Sequence, residues 1–256
     1  MRLVASIIIA LFISTILFFI TKLWGTSYQY IDYKHPFYEN IQTPLQFKAV
    51  KNTTELQHLA QTEQALYVKL AITADQKVIV HFSEQQTTTF RNKLLSELSK
   101  EIAEGLVVEL ALAVPMISNH KVIFDLTENP MSGPDIILTE FKKNNLSEGK
   151  QFIFTGGYEA PIKELKTSMP AWLFGATQPE ILKIKALESL YLIEAAIYRA
   201  DFIIHPLKYY NKDFFTETLL NDTKRRFKRI IIGPIKSSAE LDESLKLKPF
   251  GVIISF

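Results

Sequence analysis

The chain opens on an apolar run with no charge in it, LVASIIIALFISTILFFI at residues 3–20. A helix rises about 1.5 Å per residue, so this run nearly spans a bilayer core of roughly 30 Å, and Leu23 and Trp24 extend it. Trp24, Tyr28 and Tyr30 suit a membrane interface. A cleaved signal peptide would carry a shorter apolar stretch, about 7–15 residues, before a small-x-small site. Here the run ends in Thr-Lys-Leu-Trp. The pattern predicts an uncleaved transmembrane signal-anchor over residues 1–25, single-pass. Arg2 and the amino terminus favour a cytoplasmic N-terminus against Lys22 and Lys34, which places the rest of the chain on the extracytoplasmic side.

Residues 26–45, containing YQYIDYKHPFYENIQTP, mix aromatic and polar side chains without a period and are expected to be a tether. From residue 46 onward, short β-branched runs alternate with helical patterns. Strands are expected over 46–50, 66–71, 121–127, 151–155, 171–175, 201–206, 229–234 and 251–255. Residues 77–82 form a hairpin extension of the second. Helices are expected over 54–64, 90–103, 134–143, 159–167, 180–196, 214–226 and 239–247, the last capped by Ser237-Ser238.

This alternation predicts an α/β fold, a (β/α)8 TIM barrel over residues 46–256 preceded by the transmembrane helix. The runs IIIG and GVIIS fit strands buried on both faces. A doubly wound sheet would need a Gly-rich turn after the first strand, and Val50-Lys51-Asn52-Thr53 is not one. No closing helix follows the eighth strand, so the anchor or tether is expected to cover that gap.

The net charge of +2 is too small a bias for a nucleic-acid partner. The dense basic run KRRFKR, residues 224–229, reads as a solvated helix end. The chain has no cysteine, which excludes disulfides, thiolate metal sites and a cysteine nucleophile.

Function in such barrels sits at the C-terminal strand ends. Those ends carry Lys51-Asn52, Lys69, His81, Asp125 with Thr127, Thr155, Trp172 to Phe174, His205, Gly233-Pro234 and Ser255. In order and spacing they resemble the glycerophosphodiester phosphodiesterase family across most of 46–256. Lys51-Asn52-Thr53 is similar to its Glu-Asn-Thr. Tyr67-Val68-Lys69 with Thr73-Ala74-Asp75 resembles its Glu-x-Asp and Thr-Lys-Asp-Gly. His81-Phe82 falls where its His-Asp stands, and Thr87-Thr88-Thr89 where its Arg-Thr-Thr does. Phe124-Asp125-Leu126-Thr127 is similar to its Glu-Ile-Lys strand. Residues 154–165 resemble its Ser-Phe-Asp strand and helix, and 230–254 its last two strands.

The departures shape the expected chemistry. The family's His-Arg-Gly has no counterpart in residues 46–50, and His35 lies too far upstream. Its metal-binding carboxylates fall on Lys51, Tyr67, Lys69 and Asp125, of which only Asp125 is acidic. A hard divalent cation wants several oxygen ligands, so neither a metal nor another cofactor is expected. The leading expectation is a degenerate, membrane-anchored barrel in which Lys51, Lys69 and Asp125 bind a phosphodiester, a phospholipid headgroup or an envelope partner. An alternative is an active phosphoric diester hydrolase with His81 as acid/base and His205 as the second histidine. A third is a structural cell-envelope protein. Tyr67, Trp172 and Phe174 read as core, and His58 and His120 as surface.

Overall fold

Strands that are apolar on both faces are stable in a parallel sheet wrapped by helices. The computed structural model describes residues 2–27, 29–39, 41, 43–82, 90–128, 133–146, 150–209 and 212–256, with first-helix side chains at 6–22 and 25. The strands are β1 (Leu45–Ala49), β2 (Ala65–Ile72), β3 (Val78–His81), β4 (Val107–Glu109), β5 (Val122–Leu126), β6 (Phe152–Gly156), β7 (Leu173–Phe174), β8 (Phe202–His205), β9 (Lys208–Tyr209), β10 (Lys212–Asp213), β11 (Arg229–Ile235) and β12 (Gly251–Ile254). The helices are α1 (Arg2–Ser27), α2 (Thr53–Leu59), α3 (Ser99–Ala103), α4 (Leu110–Ile117), α5 (Gly133–Lys143), α6 (Glu159–Ser168), α7 (Gln178–Ser189), α8 (Glu217–Arg225) and α9 (Ser238–Lys246).

The parallel path β7-β6-β5-β2-β1-β12-β11-β8 makes the barrel wall. It closes between β7 and β8 through a bridge from Gly175 to Phe202, with Asp201 N donating to Phe174 O at 2.8 Å. Gly175 permits this closure, because a Cβ there would lie 2.7 Å from Thr155 Oγ1. Alternation points Phe47, Tyr67, Ile123, Ile153, Leu173, Phe202, Ile231 and Ile253 into one interior cluster. The predicted (β/α)8 barrel is therefore present, each wall strand lying on a predicted one.

Local predictions failed where tertiary partners took over backbone groups. Residues 90–103 were expected as one helix. They form 3-10 turns at Phe90–Asn92 and Leu95–Leu98, then α3. The N–H groups of Phe90 and Arg91 donate to the Glu128 carboxylate, and that of Leu95 to Asp75. Strand β4 and helix α4 were not anticipated; β4 pairs β3 antiparallel, and β3 pairs β2.

The tether is ordered against the lower, N-terminal end of the barrel. Phe37 is fully buried, with ring centroids 6.1 Å from Phe202 and 6.3 Å from Phe250. Lys121 Nζ donates to Phe37 O at 2.8 Å, and the His35 ring bonds Ala171 O at 2.9 Å. The basic run 224–229 is not a solvated helix end. Arg225 donates to Gly25 O at 2.5 Å, Arg226 to Tyr30 Oη at 2.6 Å and Arg229 to Asp32 at 3.1 Å. Arg226 is itself buried and paired with Asp222 at 2.8 Å. The tether thus plugs the lower end of the barrel, while α1 meets the Ile193–Ala195 turn.

Among the described residues no helix is long and apolar enough to cross a membrane, which withholds support from the expected transmembrane span. What stands there is α1, whose large apolar side chains from Ile7 to Ile20 are exposed, apart from the half-buried Phe18. Consecutive helical residues point about 100° apart, so the exposed run Ile7, Ile8, Ile9 covers most of the circumference.

Candidate functional site

Strand alternation and register assemble the upper mouth. Ala65 and Tyr67 point into the barrel, and the same period brings Lys69 to its upper end. Register places Lys69 beside His81 on β3 and beside Asp125 on β5. The Tyr67 hydroxyl donates to Asp125 Oδ2. Burial, then the Asp125 charge, pushes the Tyr67 hydroxyl well above the usual phenol range, so Tyr67 keeps its proton. Burial raises Asp125 as well, against the opposing pull of the Tyr67 hydrogen bond and the Lys69 ammonium.

Two further lysines arrive by one local device used twice. Residues 51–55 read KNTTE and residues 236–240 read KSSAE. Asn52 Oδ1 accepts from Glu55 N at 2.8 Å, and Lys51 N donates to Glu55 Oε2 at 2.7 Å. Ser237 Oγ accepts from Glu240 N at 3.2 Å, and Lys236 N donates to Glu240 Oε2 at 2.9 Å. In each case a cap fixes the helix start and a glutamate folds back on the preceding turn, which holds a lysine at the strand end. Lys236 was missed from the sequence; the repeated Lys-cap-x-x-Glu pattern was the available signal. A cavity of about 360 Å³ is lined by Lys51, Lys69, His81, Asp125, Lys236 and Ser255, among others.

His81 is only 5 % exposed, with its ring 4.7 Å from that of Phe90. Thr127 Oγ1 donates its single proton to Leu70 O at 3.1 Å. At 3.0 Å from His81 Nε2 it must therefore accept, which assigns the imidazole proton to Nε2. His81 Nδ1 is then a buried lone pair with no hydrogen-bond partner among the described residues. Burial, and next the Lys69 charge, push the His81 pKa down to about 3. The ring is neutral at physiological pH.

His205 is elsewhere. It ends β8, four strands around the wall from β2. Its Nδ1 donates to Pro206 O at 2.9 Å, and its ring stacks on Phe214 at 3.7 Å. Burial lowers its pKa too. The structure thus brings Lys51, Lys69, His81 and Asp125 to one cavity, and His205 is not among that cavity's lining residues. Trp172 stacks on Phe154 at 4.5 Å within the core, as expected. His58 is exposed, but His120 is buried, contrary to expectation, and bonds Gln64 O at 3.0 Å. Thr87-Thr88-Thr89, Tyr28 and the side chain of Trp24 lie outside the described residues.

The donor set decides how well a divalent cation fits. Such an ion wants several oxygen ligands, mostly carboxylates. Among the described residues the cavity is lined by one carboxylate, Asp125, already bonded by Tyr67, and three ammonium side chains. Among the described residues no cluster of His, Asp and Glu could hold a metal ion. These residues do not fit a divalent cation.

No family model matches the chain, and neither does any curated protein. Solved structures do match. A glycerophosphodiester phosphodiesterase from Thermotoga maritima is 14% identical with a TM-score of 0.57, covering 84% of this chain and 96% of that one. One from Parabacteroides distasonis is 12% identical with a TM-score of 0.59, covering 82% and 92%. An Oleispira antarctica phosphodiesterase, solved with the product sn-glycerol-3-phosphate, is 12% identical with a TM-score of 0.58, covering 82% and 91%. At these identities the shared property is the fold. The chain has the TIM-barrel fold of glycerophosphodiester phosphodiesterases, as its ordered motifs implied.

Proposed function

We propose that this is a membrane-attached barrel that holds a phosphate-bearing ligand in its lysine-lined mouth without metal-dependent hydrolysis. The observation that carries this reading is the lining of one cavity by Lys51, Lys69 and Lys236, with Asp125 as the carboxylate among them. Ammonium groups hold phosphate as point charges. They also repel the divalent cation that the resemblance would otherwise imply. The phosphate product bound by the Oleispira enzyme, which shares the fold, agrees with this ligand class. Membrane attachment rests on α1: a helix apolar on all sides is stable when buried or in lipid. As proposed, the barrel lies on the extracytoplasmic side.

The test uses the full chain in detergent. Inorganic phosphate and sn-glycerol 3-phosphate are titrated calorimetrically, and phosphodiester hydrolysis is followed with calcium, with magnesium and with chelator. Binding that weakens in Lys51→Ala, with no turnover under any condition, is expected. Chelator-resistant turnover lost in His81→Ala would replace this reading with a metal-free hydrolase. Metal-dependent turnover would overturn it.

A further inference from the structure

The cavity opens at the upper end of the barrel, whereas the contacts that α1 and the tether make with Glu194, Arg225, Arg226 and Arg229 lie at the lower end. Gly25 of α1 accepts from Arg225, just before β11, and Lys22 lies 4.0 Å from Glu194, in the connection before β8. Asp32 meets Arg229 at the first residue of β11. The link has little slack, because Tyr30 is held by Arg226 and Phe37 is buried in the barrel floor. The described contacts of the C-terminal part of α1 with the barrel are therefore made at its lower end.

The lower loops around that exit are themselves apolar and exposed. Ile31 is 91% exposed, Ile197 76% and Tyr191 76%, with Leu190 and Phe227 beside them in sequence position at the same end. Other exposed apolar side chains, such as Leu112 and Leu182, stand singly on helices. The cations at this exit, Lys22, Arg225, Lys228 and Arg229, are already engaged within the chain, with Glu194, Gly25, Ala200 and Asp32. Exposed apolar and aromatic tips at the end from which an apolar helix extends are a composition suited to a membrane interface.

Resting on the function proposed above, we infer that the lower loops sit on the bilayer that receives α1, and that the lysine mouth faces the water on the far side. Lys51 follows Leu45, the lower end of β1, by six residues and lies two beyond Ala49, its upper end. With the usual rise and tilt, the cavity is on the order of 20 Å above the lower loops. A headgroup of the anchoring bilayer does not reach that height. The ligand class is thereby narrowed to a water-soluble phosphate ester, in place of a lipid embedded in the same membrane.

The absence of cysteine makes the test direct. Single substitutions Ile197→Cys, on the lower loops, and Gly157→Cys, on the upper rim after β6, introduce one thiol each into the full chain. Ile197 is exposed, and a Cβ at Gly157 meets nothing within 4 Å, so both variants are expected to fold. Each is labelled with a fluorophore and reconstituted into phosphatidylcholine–phosphatidylglycerol vesicles containing a doxyl-lipid quencher. Quenching several-fold stronger at position 197 than at 157 is expected, with inorganic phosphate binding independent of phosphatidylglycerol content. Equal or stronger quenching at 157, or quenching at neither site in protein that floats with the vesicles, overturns this inference alone. Competition for phosphate by vesicle lipid overturns the soluble-ligand assignment. Protein that fails to float overturns membrane attachment as well.

Discussion

The two ends of the barrel use the same strands in opposite ways. At the lower end Phe37, Tyr38, Phe202 and Phe250 interlock edge-on, and the backbone and side chains of the tether are tied down by Lys121, Arg226 and Arg229. At the upper end the inward positions are Lys69, Asp125, Thr155 and Gly175, and a cavity remains. The lower end is packed for stability; the upper end gives up packing for charge. Stability and ligand binding should therefore separate along the barrel axis.

The sharpest way to break that contrast is at the floor. Phe37→Ala removes a fully buried ring and is expected to cost about 3–5 kcal/mol in chemical denaturation. Phosphate affinity per folded molecule should stay unchanged. If binding falls in step with stability, the two ends are not independent.

A change at the mouth should do the reverse. Lys51 and Lys236 are exposed, so Lys51→Ala combined with Lys236→Ala should move stability by no more than about 0.5 kcal/mol. Phosphate binding is expected to weaken about tenfold, or roughly 1.4 kcal/mol, by calorimetry.

His81 tests the contrast through pH. Its folded pKa, about 3, lies below the ordinary histidine value of 6.5. Between those values the unfolded chain takes up a proton that the folded chain refuses. Stability is intact above pH 6.5 and is lost as pH falls toward 3, by at most about 1.4 kcal/mol per unit. His205 adds a slope of the same sign, and Asp125, whose pKa is raised, adds an opposite one. The difference between wild type and His81→Gln isolates the His81 part. The variant is expected to show the shallower acid dependence in denaturation midpoints taken from pH 4 to 7. An unchanged slope would mean that His81 is protonated in the folded chain.

The smallest effect is at a cap. Asn52→Ala removes the acceptor for Glu55 N and should cost about 1 kcal/mol. Because that cap also positions Lys51, phosphate affinity is expected to fall by a few-fold, whereas Thr62→Ala, away from the mouth, should leave it unchanged.

The barrel was legible because its signal is local. β-branched runs at barrel spacing give strands, and parallel strands need the helices that the pattern places between them. His81, Lys69 and Asp125 were legible as strand-end residues for the same reason. Lys236 was missed because its role depends on β11 ending beside β12, which in turn pairs β1. The 90–103 segment was misread because Glu128 and Asp75, distant in sequence, capture N–H groups that a helix would have used. The basic run was misread because a charge looks solvated until its partner is known; Arg226 and Asp222 are buried together, and Tyr30 and Asp32 arrive from the other end of the chain.

Periodicity and residue type by themselves determined the alternation of strands and helices and the apolar character of α1. These are properties of neighbours in sequence, fixed by backbone geometry and by which atoms a side chain carries. Tertiary structure alone decided that Tyr67 bonds Asp125, that His81 is neutral with its proton on Nε2, that His205 stands apart from the cavity, and that the tether seals the lower end. Each of these depends on register, closure and burial, which set distance and dielectric between residues far apart in the chain, and no local pattern encodes those.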